Sequence, residues 1–177
     1  MQTYPRGNIK IKEDYGMNVV SAITEKMIKY FDGDVKRINH AIKVYGFAKH
    51  IGELENISEN KLKILEVAAI LHDIGIKESE RKYSVSSGKY QEIEGPPVAR
   101  ELLKEFNESD EFVDRVCYLI GNHHTYSKID DIDFQILVEA DFLVNIFEDG
   151  MTKEQIEPIK QKYFKTNTGL CFVNSMY

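Results

Sequence analysis

Two features of the sequence predict an all-α fold, a single bundle of about six or seven helices. Apolar residues recur at steps of three and four along successive segments, whereas no stretch alternates apolar and polar residues as a half-buried strand would. Short polar or Gly/Pro breaks separate these segments. The chain has 177 residues, of which 42% are hydrophobic, which is enough for one packed domain and short for two.

The first two helices are predicted from Tyr15 to Phe31 and from Asp34 to about Gly52. Apolar side chains follow helical spacing in the first of them, at Val19, Val20, Ile23, Met27 and Ile28. The DGD sequence at 32–34 interrupts this pattern. Asp34 can then cap the second helix, whose apolar stripe consists of Ile38, Ile42, Tyr45 and Ala48.

A third helix is predicted to begin after Ser58, a plausible N-cap. Its stripe follows steps of three and four through Leu62, Leu65, Ala69 and His72. Gly75 stands where a residue in the left-handed conformation would end this helix. The polar stretch 76–89 is predicted to be a long loop that could close over a site.

The remaining helices are marked by prolines and caps. Pro96 and Pro97 predict the start of a helix that runs through Leu103. A second helix follows Ser109 and leads into His123-His124, and the apolar run 134–147 predicts a third. Thr152 and Gln155 fit the capping box of a last helix that ends near Phe164. We therefore divide the chain into a leader (1–12), one domain (13–165) and an irregular tail (166–177) that packs on the domain or on a partner.

Composition excludes several classes of function. The chain has 29 acidic and 23 basic residues, and its net charge of -6 argues against a nucleic-acid polymer as the main partner, while a local basic pocket for one phosphate stays open. Cys117 and Cys171 lie far apart and indicate free thiols in a reducing compartment. Neither a signal peptide nor a membrane span of about 20 apolar residues is present, so we expect a cytoplasmic protein without a membrane partner.

Four residues could together bind a metal ion. His72 and Asp73 place two ligand types next to each other at the end of the apolar run LKILEVAAILHDIG. Asp141 interrupts a second apolar run, where an unpaired carboxylate would be costly. His40 lies on a predicted core-facing stripe, and burial alone could explain it, just as a lysine or a helix N-terminus could explain Asp141. As a set, these two nitrogen and two oxygen ligands favour one divalent transition metal (Mn, Fe, Co, Ni or Zn, with Mg as an option).

The order of these residues resembles that of a known family. The segments RINHA, AAILHDIG and ILVEADFLVN are similar to the motifs of the HD superfamily of metal-dependent phosphohydrolases, which has an all-helical fold. The similarity covers roughly residues 18–148. It implies an HD-type domain in which His40, His72, Asp73 and Asp141 coordinate the metal.

Other residues are candidates for supporting roles. By the same resemblance, His123 could bind a second metal, orient a phosphate or act as an acid or base, although two exposed histidines would also suit a helix C-terminus. Dinuclear members have a histidine before a glycine where this chain has Gln91, Glu92 and Glu94, which weakens a two-metal site. Three residues remain candidates for a second metal or for support of the first: Glu94, His124 and Asn145.

Basic and aromatic residues could bind the substrate. Arg37 and Lys77 are candidate phosphate ligands, and Arg81 and Lys82 could add positive charge, although solvated side chains are the commoner case. Tyr83 and Tyr126 could line a nucleobase pocket; packing is the alternative.

The sequence thus predicts hydrolysis of a phosphate ester of a nucleotide or small phosphorylated metabolite. In this mechanism Asp73 serves as metal ligand and orients or deprotonates a water, while His123 and Arg37 hold the phosphate. A di-iron oxygenase on the same scaffold and a non-catalytic metal- or nucleotide-binding module remain alternatives. The apolar end LCFVNSMY leaves a homodimer open.

Overall fold

The computed structural model describes residues 19–177, and all regular structure in this range is helical. The predicted all-α class is therefore confirmed, whereas the leader 1–12 and the predicted helix start at Tyr15 lie outside the described residues. Nine α-helices and two 3-10 turns, at Lys104–Phe106 and Tyr126–Lys128, make up this part of the chain. The α-helices are α1 Val19–Phe31, α2 Val35–Leu54, α3 Glu59–Leu71, α4 Ile76–Tyr83, α5 Gly88–Leu103, α6 Asp110–Ile120, α7 Ile132–Glu148, α8 Lys153–Tyr163 and α9 Asn167–Met176.

Polar side chains cap the helices as the sequence predicts. Asp34 accepts a hydrogen bond from the backbone N–H of Arg37 at the start of α2. Ser58 and Ser109 cap α3 and α6 in the same way. At α8 the backbone N–H of Thr152 donates to the Gln155 side chain. These bonds satisfy N–H groups that have no partner inside the helix, and so fix where each helix begins.

Helices α3 and α7 form the centre of the bundle. Residues 64–71 of α3 and 136–141 of α7 are buried without interruption, because α2 packs against both helices while α1 and α6 cover α3. Polar residues at the end of α3 and in the middle of α7 are consequently carried into the protein interior.

The prediction of a long loop at 76–89 is wrong, because most of this segment is helical. Helix α4 occupies Ile76–Tyr83, and only 84–87 separate it from α5. The sequence IKESERKY is mostly charged, but Ile76 and Ser79 lie one turn apart and are buried. Ser84 ends the helix with a positive φ of 59°. A short helix that buries so few side chains has little apolar periodicity from which it could be predicted.

Pro96 and Pro97 lie inside α5 and do not start a helix there, so this prediction is also wrong. Prolines cannot donate to the carbonyls one turn earlier. In the turns before them, the side chains of Gln91, Glu92 and Glu94 accept hydrogen bonds from His124, Thr125 and Tyr83, respectively.

Gly75 does not form the predicted left-handed cap, but close packing against α5 requires a glycine at this position. Its φ of -73° is right-handed. A Cβ at this position would lie 2.5 Å from the carbonyl oxygen of Gln91 and 2.6 Å from the nitrogen of Gly95. The glycine therefore lets the backbone after His72-Asp73 pass directly against α5.

The C-terminal segment, predicted to be irregular, forms α9. Together with α4 it raises the number of α-helices in the described residues to nine, two more than the upper predicted number of seven. The buried carboxylate of Glu139 accepts hydrogen bonds from the backbone N–H groups of Lys165 and Thr166. Thr166 then caps α9. The helix packs against α7 and α2, and the Tyr177 hydroxyl donates to the carbonyl of Leu143.

Between residues 19 and 177 no helix has the length and apolar character needed to cross a membrane. Cys117 is buried, Cys171 is exposed, and both are free thiols.

Candidate metal centre

Three imidazoles and two carboxylates converge where α2, α3, α6 and α7 meet. His40 lies on α2, His72 caps the C-terminus of α3, and Asp73 follows it. Asp141 projects from the middle of α7, and His123 lies in the turn after α6. We call these five residues the His/Asp cluster. Four of them are buried and Asp73 is half-buried, with 17% of its side chain exposed.

The ligand atoms of the cluster face one another at short range. His40 Nε2 lies 3.2 Å from Asp141 Oδ1 and 3.1 Å from His72 Nε2. The two oxygens of Asp73 face different histidines: Oδ2 lies 3.6 Å from His72 Nε2, and Oδ1 lies 3.6 Å from His123 Nε2. Ligands about 2.0–2.2 Å from one cation are separated by about 3–3.5 Å, so this spacing fits a shared metal ion.

Hydrogen bonds on the far side of each ring define the tautomers. His72 Nδ1 lies 2.8 Å from the carbonyl oxygen of Ala69, and His123 Nδ1 lies 2.7 Å from that of Ile120. His40 Nδ1 lies 3.0 Å from Glu148 Oε2. Because these oxygens only accept, each Nδ1 carries the hydrogen, and each ring presents an Nε2 lone pair to the cluster when it is neutral.

This arrangement leaves lone pairs that the protein does not satisfy. His123 Nε2 is buried and has no hydrogen-bond partner among the described residues. The Nε2 atoms of His40 and His72 cannot hydrogen-bond to each other while both rings are neutral. His40, His72 and Asp73 each have a ligand atom within 4.8 Å of the others, so a divalent cation would satisfy the Nε2 atoms of His40 and His72 together with the adjacent carboxylates. The residues present therefore fit a metal ion.

The charges in the cluster prepare the carboxylates for metal binding. Burial tends to raise the pKa values of Asp73 and Asp141, but the neighbouring histidines lower both well below the usual range. Burial likewise opposes a charge on His40, yet the Asp141 hydrogen bond and the surrounding carboxylates raise its pKa to about 9. Burial lowers the pKa of His72. Both aspartates are therefore ionised at neutral pH, as a ligand must be.

Two residues near the end of α7 support the cluster. Asn145 donates from Nδ2 to Asp141 Oδ1 at 2.9 Å. Glu148 accepts from His40 and, at 2.9 Å, from Lys43 Nζ. Sequence reasoning missed Glu148, although its place seven residues after Asp141 puts it on the same face of α7.

A cavity of about 410 Å³ opens onto the cluster at His40 and Asp73. Its walls come from the start of α2, the α4 region and the end of α7. Besides these two ligands, the lining residues are Asp34, Lys36, Arg37, Ile76, Ser86, Asn145, Glu148 and Asp149.

Comparison with known proteins places this fold and site in a family. The HD domain family matches the chain over residues 37–160, which contain the whole His/Asp cluster. The chain belongs to the HD domain family. The resemblance noted in the sequence is thus confirmed.

A solved structure with the same fold is that of a predicted HD superfamily hydrolase from an uncultured Thermotogales bacterium. It superposes with a TM-score of 0.62 at 24% sequence identity, over 91% of this chain and 84% of that one. At this identity the match concerns the fold. No curated protein matches the chain.

In this HD domain His123, and not its neighbour, faces Asp73. His124 Nε2 instead lies 2.9 Å from Gln91 Oε1. Gln91 donates its amide hydrogen to the carbonyl of Ser86, so its oxygen must accept from His124. Asp73, His123 and His124 could still group around an ion, since each has a ligand atom within 4.8 Å of the others. His124 would have to use Nδ1 for this purpose.

Glu92 holds the turn that carries both histidines. Its carboxylate accepts from the backbone N–H of His124 at 3.0 Å and from the Thr125 hydroxyl at 2.9 Å. Helix α5 thus positions the His123-His124 turn through neighbouring side chains on its first turns.

The HD domain does not bring Glu94 to the His/Asp cluster. Its carboxylate accepts from Lys82 Nζ at 2.5 Å and from the Tyr83 hydroxyl at 2.9 Å. Both oxygens are thereby engaged in a separate cleft beside Tyr30. Glu94 lies two residues after Glu92 and so on nearly the opposite side of α5, where it pairs with Lys82 and Tyr83 of α4.

The predicted phosphate ligands are also occupied elsewhere. Lys77 Nζ donates to the carbonyl of Tyr30 at 2.8 Å and lies over its ring. Arg37 lines the cavity, but both of its terminal nitrogens bind Glu80 on α4 and one also contacts Asp34.

The remaining candidates have packing or ion-pair partners. Arg81 binds Glu78, and Tyr83 stacks on Tyr90 with 4.1 Å between ring centroids. Tyr126 packs with Phe142 and Tyr163.

Proposed function

We propose that this HD domain is a metal-dependent phosphohydrolase that cleaves a phosphate ester of a nucleotide or a small phosphorylated metabolite. The supporting observation is that the Nε2 atoms of three histidines and the ionised carboxylates of Asp73 and Asp141 converge beside a cavity. The cavity volume of about 410 Å³ suits a small ligand. A cytoplasmic location and an option for a homodimer remain predictions from the sequence.

In this proposal His40, His72, Asp73 and Asp141 hold one divalent cation, with Mn, Fe, Co, Ni, Zn or Mg as candidates. Bound there, such a cation lowers the pKa of a water molecule and neutralises charge on phosphoryl oxygens. Asn145 and Glu148 keep two of these ligands, Asp141 and His40, in orientation through their hydrogen bonds.

Asp73 is the ligand best placed to meet the attacking water. It lines the cavity and is the most exposed member of the cluster, with 17% of its side chain accessible. One carboxylate oxygen can orient the water or accept its proton while the other remains a ligand. Water adds to phosphorus, the bond to the leaving oxygen breaks, and that oxygen takes up a proton.

His123 is the candidate for a proton donor or a phosphate ligand at this step. Its Nδ1 hydrogen is held by Ile120, so proton exchange occurs at Nε2, which faces Asp73. Burial tends to lower the pKa of His123, but the carboxylate of Asp73, 3.6 Å from Nε2, and the negative charge of Asp141 give a net increase. A histidine that holds its proton near neutral pH can donate it to a leaving group.

The test is phosphate release from nucleotides and generic phosphate esters in the presence of Mn²⁺, Co²⁺, Ni²⁺ or Mg²⁺. We expect Asp73→Ala to abolish release for every accepted substrate while circular dichroism shows an intact fold. Asp114→Ala removes an exposed carboxylate that pairs with Arg100 and should leave release unchanged. Undiminished turnover by Asp73→Ala would contradict the proposed mechanism.

The same preparations distinguish the alternatives. Two irons per chain together with oxygen consumption would indicate an oxygenase. Metal and nucleotide binding without any product would indicate a binding module.

A further inference from the structure

The cavity beside the His/Asp cluster has an acidic wall, although the proposed substrate is an anion. Asp34, Glu148 and Asp149 line it together with Asp73. An incoming phosphate therefore needs a positive group on this wall in addition to the metal. The inference that follows rests on the proposed function and names the residue that provides this charge.

Arg37 does not offer a free charge, although it lines the cavity. Its Nη1 and Nη2 lie 3.1 Å and 2.5 Å from the two carboxylate oxygens of Glu80. Nη1 is also 2.8 Å from Asp34. A phosphate would have to displace a forked ion pair to reach this guanidinium.

The other basic residues near the cluster are engaged as well. Lys43 pairs with Glu148 at 2.9 Å, and Lys82 pairs with Glu94 at 2.5 Å. Lys77 donates to the carbonyl of Tyr30. None of these three lines the cavity.

Lys36 differs from all of them. It lines the cavity, it is exposed, and no carboxylate of residues 19–177 lies within ion-pair distance of its ammonium group. It also precedes His40 by four residues, so the two side chains share one face of α2. The flexible stem of lysine lets its ammonium follow a phosphate on that face.

We propose that Lys36 binds the phosphate group of the substrate in the cavity that opens onto His40 and Asp73. The ammonium group donates hydrogen bonds to phosphoryl oxygens and offsets the charge of the acidic wall. Lys36 is then the residue of this wall that selects for an anionic ligand.

Lys36 is also suited to a clean test, because its loss should not unfold the protein. It is the second residue of α2, where the positive end of the helix dipole disfavours a cation. Lys153, the first residue of α8, is a matched control. It too is exposed and without a carboxylate partner in the described range, but it lies outside this cavity.

The experiment measures binding of inorganic phosphate to the Mn²⁺-loaded full chain by ³¹P NMR line broadening, with metal content determined in parallel. We expect Lys36→Met to weaken phosphate binding about tenfold, the loss typical of one charge-assisted hydrogen bond. Lys36→Arg should recover most of the affinity. Lys153→Met should bind like the wild type, and all variants should hold the same amount of metal.

Equal phosphate affinity of Lys36→Met and the wild type would overturn the inference, as would a wild type that binds no phosphate. Failure of the proposed function has a different signature. In that case phosphate binding depends on Lys36, yet no phosphate ester is hydrolysed with any of the metals.

Discussion

His40 Nε2 and His72 Nε2 lie 3.1 Å apart, and the Nδ1 hydrogen of each ring is directed to an acceptor on its far side. Two lone pairs at this distance repel unless a proton or a cation lies between the rings and their aspartates. Of these two rings, His40 is the one that holds a proton, because the surrounding carboxylates raise its pKa while burial lowers the pKa of His72. Metal binding and protonation therefore compete at the same place.

The first prediction is that a divalent metal stabilises the folded chain. Mn²⁺ or Ni²⁺ at a hundred times its dissociation constant should add about 2.7 kcal/mol to the free energy of unfolding, and EDTA should reverse the gain. His72→Ala removes one ligand and should lose most of this effect in thermal melts. His50→Ala is the control, because His50 is exposed and its Nδ1 contacts the carbonyl of Gly46. The same metal-induced shift in His72→Ala as in the wild type would contradict this ligand assignment.

The second prediction concerns pH. The pKa of His40 is raised from 6.5 to about 9 in the metal-free fold, so its charged form stabilises the fold fully below pH 6.5. This contribution is lost as the pH rises towards 9. Metal affinity changes in the opposite direction, since the metal must displace that proton. We expect affinity to rise about tenfold per pH unit between 7 and 9 from this one proton, and to level off above.

Calorimetric titration of metal at pH 7, 8 and 9, in buffers with different ionisation enthalpies, measures both affinity and released protons. Asp73 and Asp141 add no dependence in this range because their pKa values are lowered. A flat affinity with no proton release would show that His40 is neutral before the metal binds.

Whether the sequence predicts a residue of this site depends on how strongly that residue differs in polarity from its sequence neighbours. His72, Asp73 and Asp141 stand out because they interrupt apolar runs, and a buried charge in such a run requires a partner. Glu148 and Glu92 have no such contrast, since both lie on partly polar helix surfaces. Their roles appear only once α7 and α5 are placed beside His40 and His124.

The roles of the basic residues show a related dependence on packing. Arg37 shares a face with His40, which favoured it as a phosphate ligand. Its actual partner, Glu80, lies on α4, a helix that was predicted to be a loop. A tertiary ion pair between segments 43 residues apart cannot be read from local periodicity. Lys36, in contrast, has no carboxylate partner among residues 19–177.

The third prediction tests the close approach at Gly75. Gly75→Ala would place a Cβ against the backbone of Gln91 and Gly95, so α5 would have to shift. We expect a loss of about 1–3 kcal/mol in the free energy of unfolding, as for other overpacked sites. Gly46→Ala is the matched control on α2, because its added Cβ would meet no atom within 4 Å among residues 19–177, apart from its chain neighbours and the backbone of its own helix. It should be neutral or stabilise by up to about 1 kcal/mol through helix propensity. Urea denaturation measures both, and equal stabilities would contradict the packing argument.

The fourth prediction concerns Glu148, whose carboxylate fixes the ring of His40. Glu148→Gln keeps the size of the side chain but removes the charge, and its amide can present a donor to His40 Nδ1. His40 then loses the bond that directs its Nε2 lone pair into the cluster. We expect metal affinity to fall about 10- to 100-fold, as for other residues that orient a ligating histidine. Glu157→Gln, which alters an exposed pair with Lys160, should leave affinity unchanged. Isothermal titration with Mn²⁺ compares the two variants. If Glu148→Gln bound metal like the wild type, the tautomer of His40 would have to be set by the metal itself, with Glu148 serving only as the partner of Lys43.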